Sequence, residues 1–219
     1  MARRTTQDAK KTREAILDAA EKVFLSQGIA LTSLEEIASK AGVTRGAVYW
    51  HFKNKIELCD ALAHRLFLPH EELLRALVLK CSSSPIEDLK EMSLQSLAAT
   101  KGSKKKRDVF SMLFLCEHTQ EAENILKQRN DGLTRTLALT EKLFVRAYEL
   151  GLLSENWTPR LAALTTQIII IGLITGALEN RKGYDLDQIG PLCVKAFFSS
   201  LTKRKQRNTK SSKRPIVFH

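Results

Sequence analysis

The sequence predicts an all-α chain: an N-terminal three-helix, helix-turn-helix unit and a larger C-terminal helical domain, about nine helices in total. Three observations carry this. Apolar residues recur at helical spacing almost throughout. Five prolines and ten glycines interrupt 219 residues. No segment alternates apolar and polar residues as a half-buried strand would.

Taken in order, Ala9, Ala15, Ile16, Ala19, Ala20, Val23 and Phe24 form the apolar stripe of a first helix that ends at Gln27-Gly28. Thr32 or Ser33 caps a short second helix. Each has a glutamate three residues on, Glu35 or Glu36, so either register makes a capping box. Leu34, Ile37, Ala38 and Ala41 face inward, Gly42 breaks the helix, and Thr44 caps a third helix running to about Phe52. Asn54, with Glu57 completing the box, caps a long fourth helix that reaches about Lys80. Cys81-Ser82-Ser83-Ser84-Pro85 is a loop with its proline near the next helix start. Further helices are expected over 86–100, 104–117, 121–150, 158–181 and 187–203, giving domains over 1–57 and 58–202 and a tail over 203–219. No internal repeat is present.

Charge narrows the function classes less than its size implies. Seven of the cations lie in residues 203–219, which leaves +4 of the chain's +11 for the body. That tail reads as a solvated, disordered end that can add salt-dependent phosphate attraction. Cys59, Cys81, Cys116 and Cys193 are scattered and make no metal pair. No apolar leader follows Met1, so a cytoplasmic protein with reduced thiols is expected. No P-loop, dinucleotide fingerprint or nucleophile elbow occurs, so neither an enzyme, a cofactor nor a metal site is implied.

Residues 33–52 have the length and turn chemistry of a helix-turn-helix. Rotating the third helix by about 100° per residue puts Val48 and Phe52 on one face, packing on the first two helices. Gly46 and Trp50 lie opposite, flanked by Arg45, Ala47, Tyr49 and His51. An exposed Tyr and Trp on a short helix have a use in a DNA groove. Tyr and His donate to phosphates, Arg reaches base edges, and Gly46 leaves room for the duplex. Lys55, in the first turn of the fourth helix, sits at a natural phosphate site. Arg3 and Arg4 lie on an arm able to reach a minor groove.

At this point the sequence resembles the TetR/AcrR-type regulators. The likeness runs through Thr12-Arg13, Ile16-Leu17, Ala19-Ala20-Glu21, Phe24 and Gly28. It continues in Thr32-Ser33-Leu34, Ile37-Ala38, the string from Ala41 to Phe52, Asn54-Lys55 and Leu58. It covers about residues 3–62, and the opening residues with Thr44 to Phe52 resemble the branch that represses multidrug efflux pumps. The resemblance implies DNA contacts at Thr44, Arg45, Gly46, Tyr49, Trp50, His51 and Lys55. It also implies a homodimer formed by the last two helices, a palindromic operator of double-stranded DNA, and a small apolar ligand. The family's pocket falls in segments that here hold Phe110, Met112, Phe114, Phe144, Tyr148, Trp157 and Gln167. Where that branch often has Cys-Glu-Phe in the sixth helix, this chain has Cys116-Glu117-His118, a departure.

The uncharged run Leu161 to Leu178 approaches the length of a membrane span. Thr165, Thr166, Gln167 and Thr175 interrupt it, so it reads as a helix buried by its own core and by a partner subunit, with no membrane. Gly172 and Gly176 put two small residues on one face for close helix approach. The fourth helix is expected to be the only element touching both domains, and hence the coupling lever. Three readings remain open: a membrane-associated or enzymatic protein that merely carries this hairpin, which predicts detergent-dependent solubility or turnover, and two regulators. One is released from DNA by a ligand. The other has no small-molecule ligand and answers to a partner protein or thiol oxidation, and it predicts a filled second core. A cavity of several hundred Å³ separates them.

Overall fold

The computed structural model describes residues 6–114, 122–179 and 184–202. Nine α-helices run through them: α1 (Thr6–Gln27), α2 (Leu34–Ala41), α3 (Arg45–His51), α4 (Lys55–Lys80), α5 (Pro85–Gly102), α6 (Lys104–Phe114), α7 (Ala122–Glu149), α8 (Pro159–Leu178) and α9 (Leu186–Leu201). No strand forms among the described residues; one isolated bridge joins Leu153 to Thr202.

Local chemistry fixes the helix ends. The open register at α2 resolves to Ser33, whose Oγ accepts the Glu36 N–H at 3.2 Å while its own N–H donates to Glu36 Oε2 at 2.8 Å. Thr32 is buried instead, and its hydroxyl donates to the Gly28 carbonyl at 2.7 Å. Gly42 closes α2 at φ +67°, a left-handed conformation that a glycine adopts without strain, and Val43 N–H reaches back to the Ala38 carbonyl. Thr44, Asn54 and Thr158 cap α3, α4 and α8 through side-chain oxygens. Pro85 and Pro159 start α5 and α8, where a missing N–H costs nothing.

Two apolar cores result. The first gathers Ile16, Leu17, Ile37, Val48, Leu58 and Leu62, each at most 1% exposed. The second gathers residues of α4, α5 and α6 to α9 around Leu74, Leu89, Phe144 and Val194. Full burial of one such side chain contributes roughly 1.5–3 kcal/mol. Phe67 of α4 lies at the seam between them. A Cβ on Gly132 would stand 2.6 Å from its ring, so only a glycine lets α7 come this close to α4.

α4 therefore touches both cores, as expected, but it is not alone. Val109, Met112 and Leu113 of α6 pack into the first core while Phe110 packs into the second, because α6 crosses between α1 and α7. Ion pairs reinforce the α4 joint. Arg65 binds Asp18 at 2.7 Å and also Glu21 of α1. Removing Arg65 would take an ion-pair partner from Glu21, a carboxylate only 4% exposed, and so destabilise the joint. Further along, the buried Glu71 accepts from Arg135 of α7 at 2.8 Å.

Candidate nucleic-acid interface and ligand cavity

The α2–α3 unit presents its surface as the helical phase dictates. Val48 and Phe52 are sealed inside, whereas Trp50 is 72% exposed and Tyr49 43%. Thr44, Arg45 and Gly46 are exposed and His51 half-buried on the same side. Arg45 is braced rather than loose. Its guanidinium meets Glu35 at 2.8 Å and lies 5.3 Å over the Tyr49 ring. The Tyr49 hydroxyl, aided by Glu35, holds its pKa above the ordinary arginine value. Trp50 and His51 meet edge to face at 4.4 Å. A Cβ on Gly46 would meet nothing closer than Thr44 Oγ1 at 4.0 Å, so internal packing does not demand this glycine.

Lys55 has a different use from the one expected at the free end of α4. Its ammonium donates to the carbonyls of Ile29 and Ala30 at 2.9 and 3.0 Å, tying the α1–α2 loop to α4. The Glu57 N–H at that helix start is taken by Asn54 Oδ1. Arg3, Arg4, the Cys116-Glu117-His118 string and residues 203–219 lie outside the described residues.

Beneath α4, the second core is not filled. A cavity of about 330 Å³ opens between α4, α5, α6, α7 and α8. Phe110, Phe114 and Gln167 line it, and Gln167 is oriented by donating to the Leu133 carbonyl at 2.8 Å and to Thr136 Oγ1 at 3.2 Å. Four other residues expected there fall elsewhere. Phe144 shares a helix face with Thr136 and Thr140, but one turn beyond the void it is wholly buried in the core. Tyr148, another turn on, is 65% exposed at the surface. Met112 faces the first core, and Trp157 packs on Phe197 while its indole N–H donates to the Ser200 carbonyl.

The lining residues not foreseen include most of its polar ones. His70, Ser96, Thr136, Thr140 and Thr166 line the cavity with Lys106. Their signal was present: hydroxyls recurring at helical spacing on the apolar faces of α5 and α7. Burial pushes the His70 imidazole below its ordinary pKa, against the pull of Glu71 and with help from the Lys106 ammonium. His70 is therefore neutral at neutral pH, with Nδ1 3.3 Å from Ser96 Oγ. No group of metal-binding side chains occurs among the described residues.

A third surface lies on α8 and α9. Leu161 is 47% exposed, and Ile168 and Leu192 are each 67% exposed. Only a third of the most apolar stretch of α8 is buried within the chain. Gly172 faces open space on this side. Gly176 does not: its missing side chain is occupied by Tyr184 of the same chain, whose hydroxyl donates to the Leu173 carbonyl at 2.9 Å.

Comparison with known proteins places the chain in a family. The family of bacterial regulatory proteins named tetR matches residues 16–62, and the C-terminal region of MAATS-type transcriptional repressors matches residues 84–203. The HTH-type transcriptional repressor BepR of Brucella suis is 32% identical over 200 residues, 91% of this chain and 96% of that protein. NalD, the secondary repressor of the MexAB-OprM multidrug efflux pump in Pseudomonas aeruginosa, superimposes with a TM-score of 0.78. It is 34% identical over 91% of this chain and 100% of its own. SmeT, the repressor of the Stenotrophomonas maltophilia pump SmeDEF, superimposes in its triclosan complex with a TM-score of 0.83, at 30% identity over 95% of this chain and 100% of that one. These relatives are named as regulators, not as enzymes. The matches at both ends of the chain, together with the α2–α3 surface, place it in the TetR family of DNA-binding transcriptional repressors.

Proposed function

We propose that this chain is a cytoplasmic repressor of a multidrug efflux system. It binds a palindromic operator as a homodimer and leaves it when a small apolar molecule fills the cavity. The observation that carries the reading is the position of that cavity. Phe67, Pro69 and His70 of its wall belong to the helix whose N-terminal part shares a core with α3, through Leu58 and Leu62 on one side and Val48 on the other. A ligand bedded there acts on α4 directly. If it fits only a dimer whose two α3 helices are spread away from successive major grooves, about 34–36 Å apart, it weakens DNA binding. DNA then weakens ligand binding by the same factor.

At the DNA, Tyr49, Trp50, His51, Thr44 and Arg45 make the groove contacts, and the open space beside Gly46 admits the backbone. Lys55, held by the carbonyls of Ile29 and Ala30, stands at the start of α4 beside the same surface. Twofold packing of α8 and α9, with Leu161, Ile168, Gly172 and Leu192 at the seam, covers the apolar face without a membrane. The rival regulator without a small-molecule ligand requires a filled second core, which a void of about 330 Å³ argues against.

Footprinting on DNA flanking the gene tests this. The expected result is a protected palindrome with two half-sites. Tyr49→Ala or Arg45→Ala should lower affinity about 5- to 150-fold, the worth of one good contact, with helical content unchanged. Unchanged affinity in both variants would remove α3 as the reading element.

A further inference from the structure

We propose that the cavity selects weak acids. Its ligand class would be an apolar body carrying one phenol or carboxylate oxygen, held at the end where Lys106 and His70 stand, with organic cations excluded. This rests on the reading of the cavity as the inducer site and deepens it.

The wall itself supplies the first argument. Among the described residues no aspartate or glutamate lines the cavity, and Lys106 is the one lysine or arginine that does. Glu71, the buried carboxylate that acts on His70, is already held by Arg135 and Arg75. A buried cation would therefore find no uncommitted counter-charge on the described wall, and an unpaired charge taken out of water is strongly disfavoured. An anion would meet an ammonium. Among the described residues Lys106 has no ion-pair partner, whereas its neighbours are committed: Lys101 pairs with Asp187, and Arg107 donates to the Lys101 carbonyl.

His70 supplies the second. It is neutral, and in the tautomer whose Nδ1 accepts from Ser96 its Nε2–H is left as a donor. Lys106, exposed at the cavity wall, is close enough to act on the His70 charge, so both donors stand at one end of the cavity. The rest of the wall is chiefly apolar, with Met92, Phe110, Phe114 and Ile170 among its members, and suits a hydrocarbon or aromatic body.

The third argument is the start of α6. It reads Lys104-Lys105-Lys106-Arg107, with no acidic residue in its first turn. Cations at a helix N-terminus oppose the helix dipole, so local stability does not account for the run. At the wall of a cavity that takes anions, the Lys106 charge raises the local concentration of ligand.

The test uses the full-length protein and three probes sharing one saturated chain: decanoate, 1-decanol and decylammonium, titrated calorimetrically at neutral pH. Wild type should bind decanoate about five- to tenfold tighter than decanol, the gain of one charge-assisted hydrogen bond at a partly exposed site. Decylammonium should bind at least about tenfold weaker than decanoate. In Lys106→Gln the decanoate-to-decanol ratio should fall to about one, and in Lys106→Arg it should persist. The ratio cancels any general damage to the cavity. Equal affinities for all three probes, or a preference for the ammonium, would overturn the selectivity while leaving the cavity reading intact. Failure of every probe to bind would overturn both.

Discussion

The α1–α3 unit and the α5–α8 region use their polar side chains in opposite directions. Around α2 and α3, Ser33, Thr44 and Asn54 are spent on helix caps, Arg45 and Tyr49 face solvent, and the core behind them is closed. In the second region Ser93, Thr136, Thr140 and Thr166 are all less than 9% exposed and turn inward. Each hydroxyl donates to the carbonyl four residues earlier, Ser93 to Leu89 at 2.7 Å and Thr166 to Ala162 at 2.7 Å among them. A hydroxyl that satisfies itself along its own helix needs no cross-helix partner. A void lined by such groups can stay open without leaving a donor unpaired, and each oxygen keeps an acceptor site for a guest. One region is rigid so that its surface can be read; the other is incompletely packed so that its interior can be.

That contrast has measurable consequences. The largest concerns packing. Leu58→Ala, at 0% exposure in the closed core, should cost about 2–5 kcal/mol in urea unfolding. Phe114→Ala should cost less, below about 2 kcal/mol, because one side of the ring already borders empty space. Equal costs would mean that the second core is as full as the first.

A smaller effect concerns pH. The folded chain holds His70 below its ordinary pKa, so on acidification the unfolded chain takes up that proton first. Stability is lost as pH falls through about 6.5 toward the lower folded value. His70→Gln should remove this part of the slope, gaining on wild type between neutral and mildly acidic pH. Parallel profiles would show that the imidazole is freely solvated.

The smallest effect is the most discriminating. Trp50→Ala should change stability by less than about 0.5 kcal/mol, since the side chain is 72% exposed, while it weakens DNA binding. A large loss of stability would make Trp50 a packing residue.

How far the sequence discloses each region follows from the range of the interactions that build it. The caps of α2, α3 and α4 act over three residues, so Ser33, Thr44 and Asn54 were legible, with only the choice between Thr32 and Ser33 open. The exposure of Tyr49 and Trp50 followed from one helix's phase. The cavity depends on how five helices meet, which no local pattern encodes. Hence Phe144, expected in it, belongs to the core, while nothing local marks His70 and Lys106 as lining it. Gly176 failed for a similar reason: the residue that covers it, Tyr184, lies past the end of α8 and returns onto it. The role of α6 in both cores was hidden because its two faces are both apolar and give no sign of what each meets.

The central claim is that the cavity and α3 are linked through α4. The most direct test is a reciprocal titration of the full-length protein, using a cavity ligand found by thermal shift and an operator duplex defined by footprinting. The account predicts that saturating ligand weakens operator binding about 5- to 150-fold and that saturating operator weakens ligand binding by the same factor. A ligand that binds with equal affinity whether or not the operator is present would contradict it.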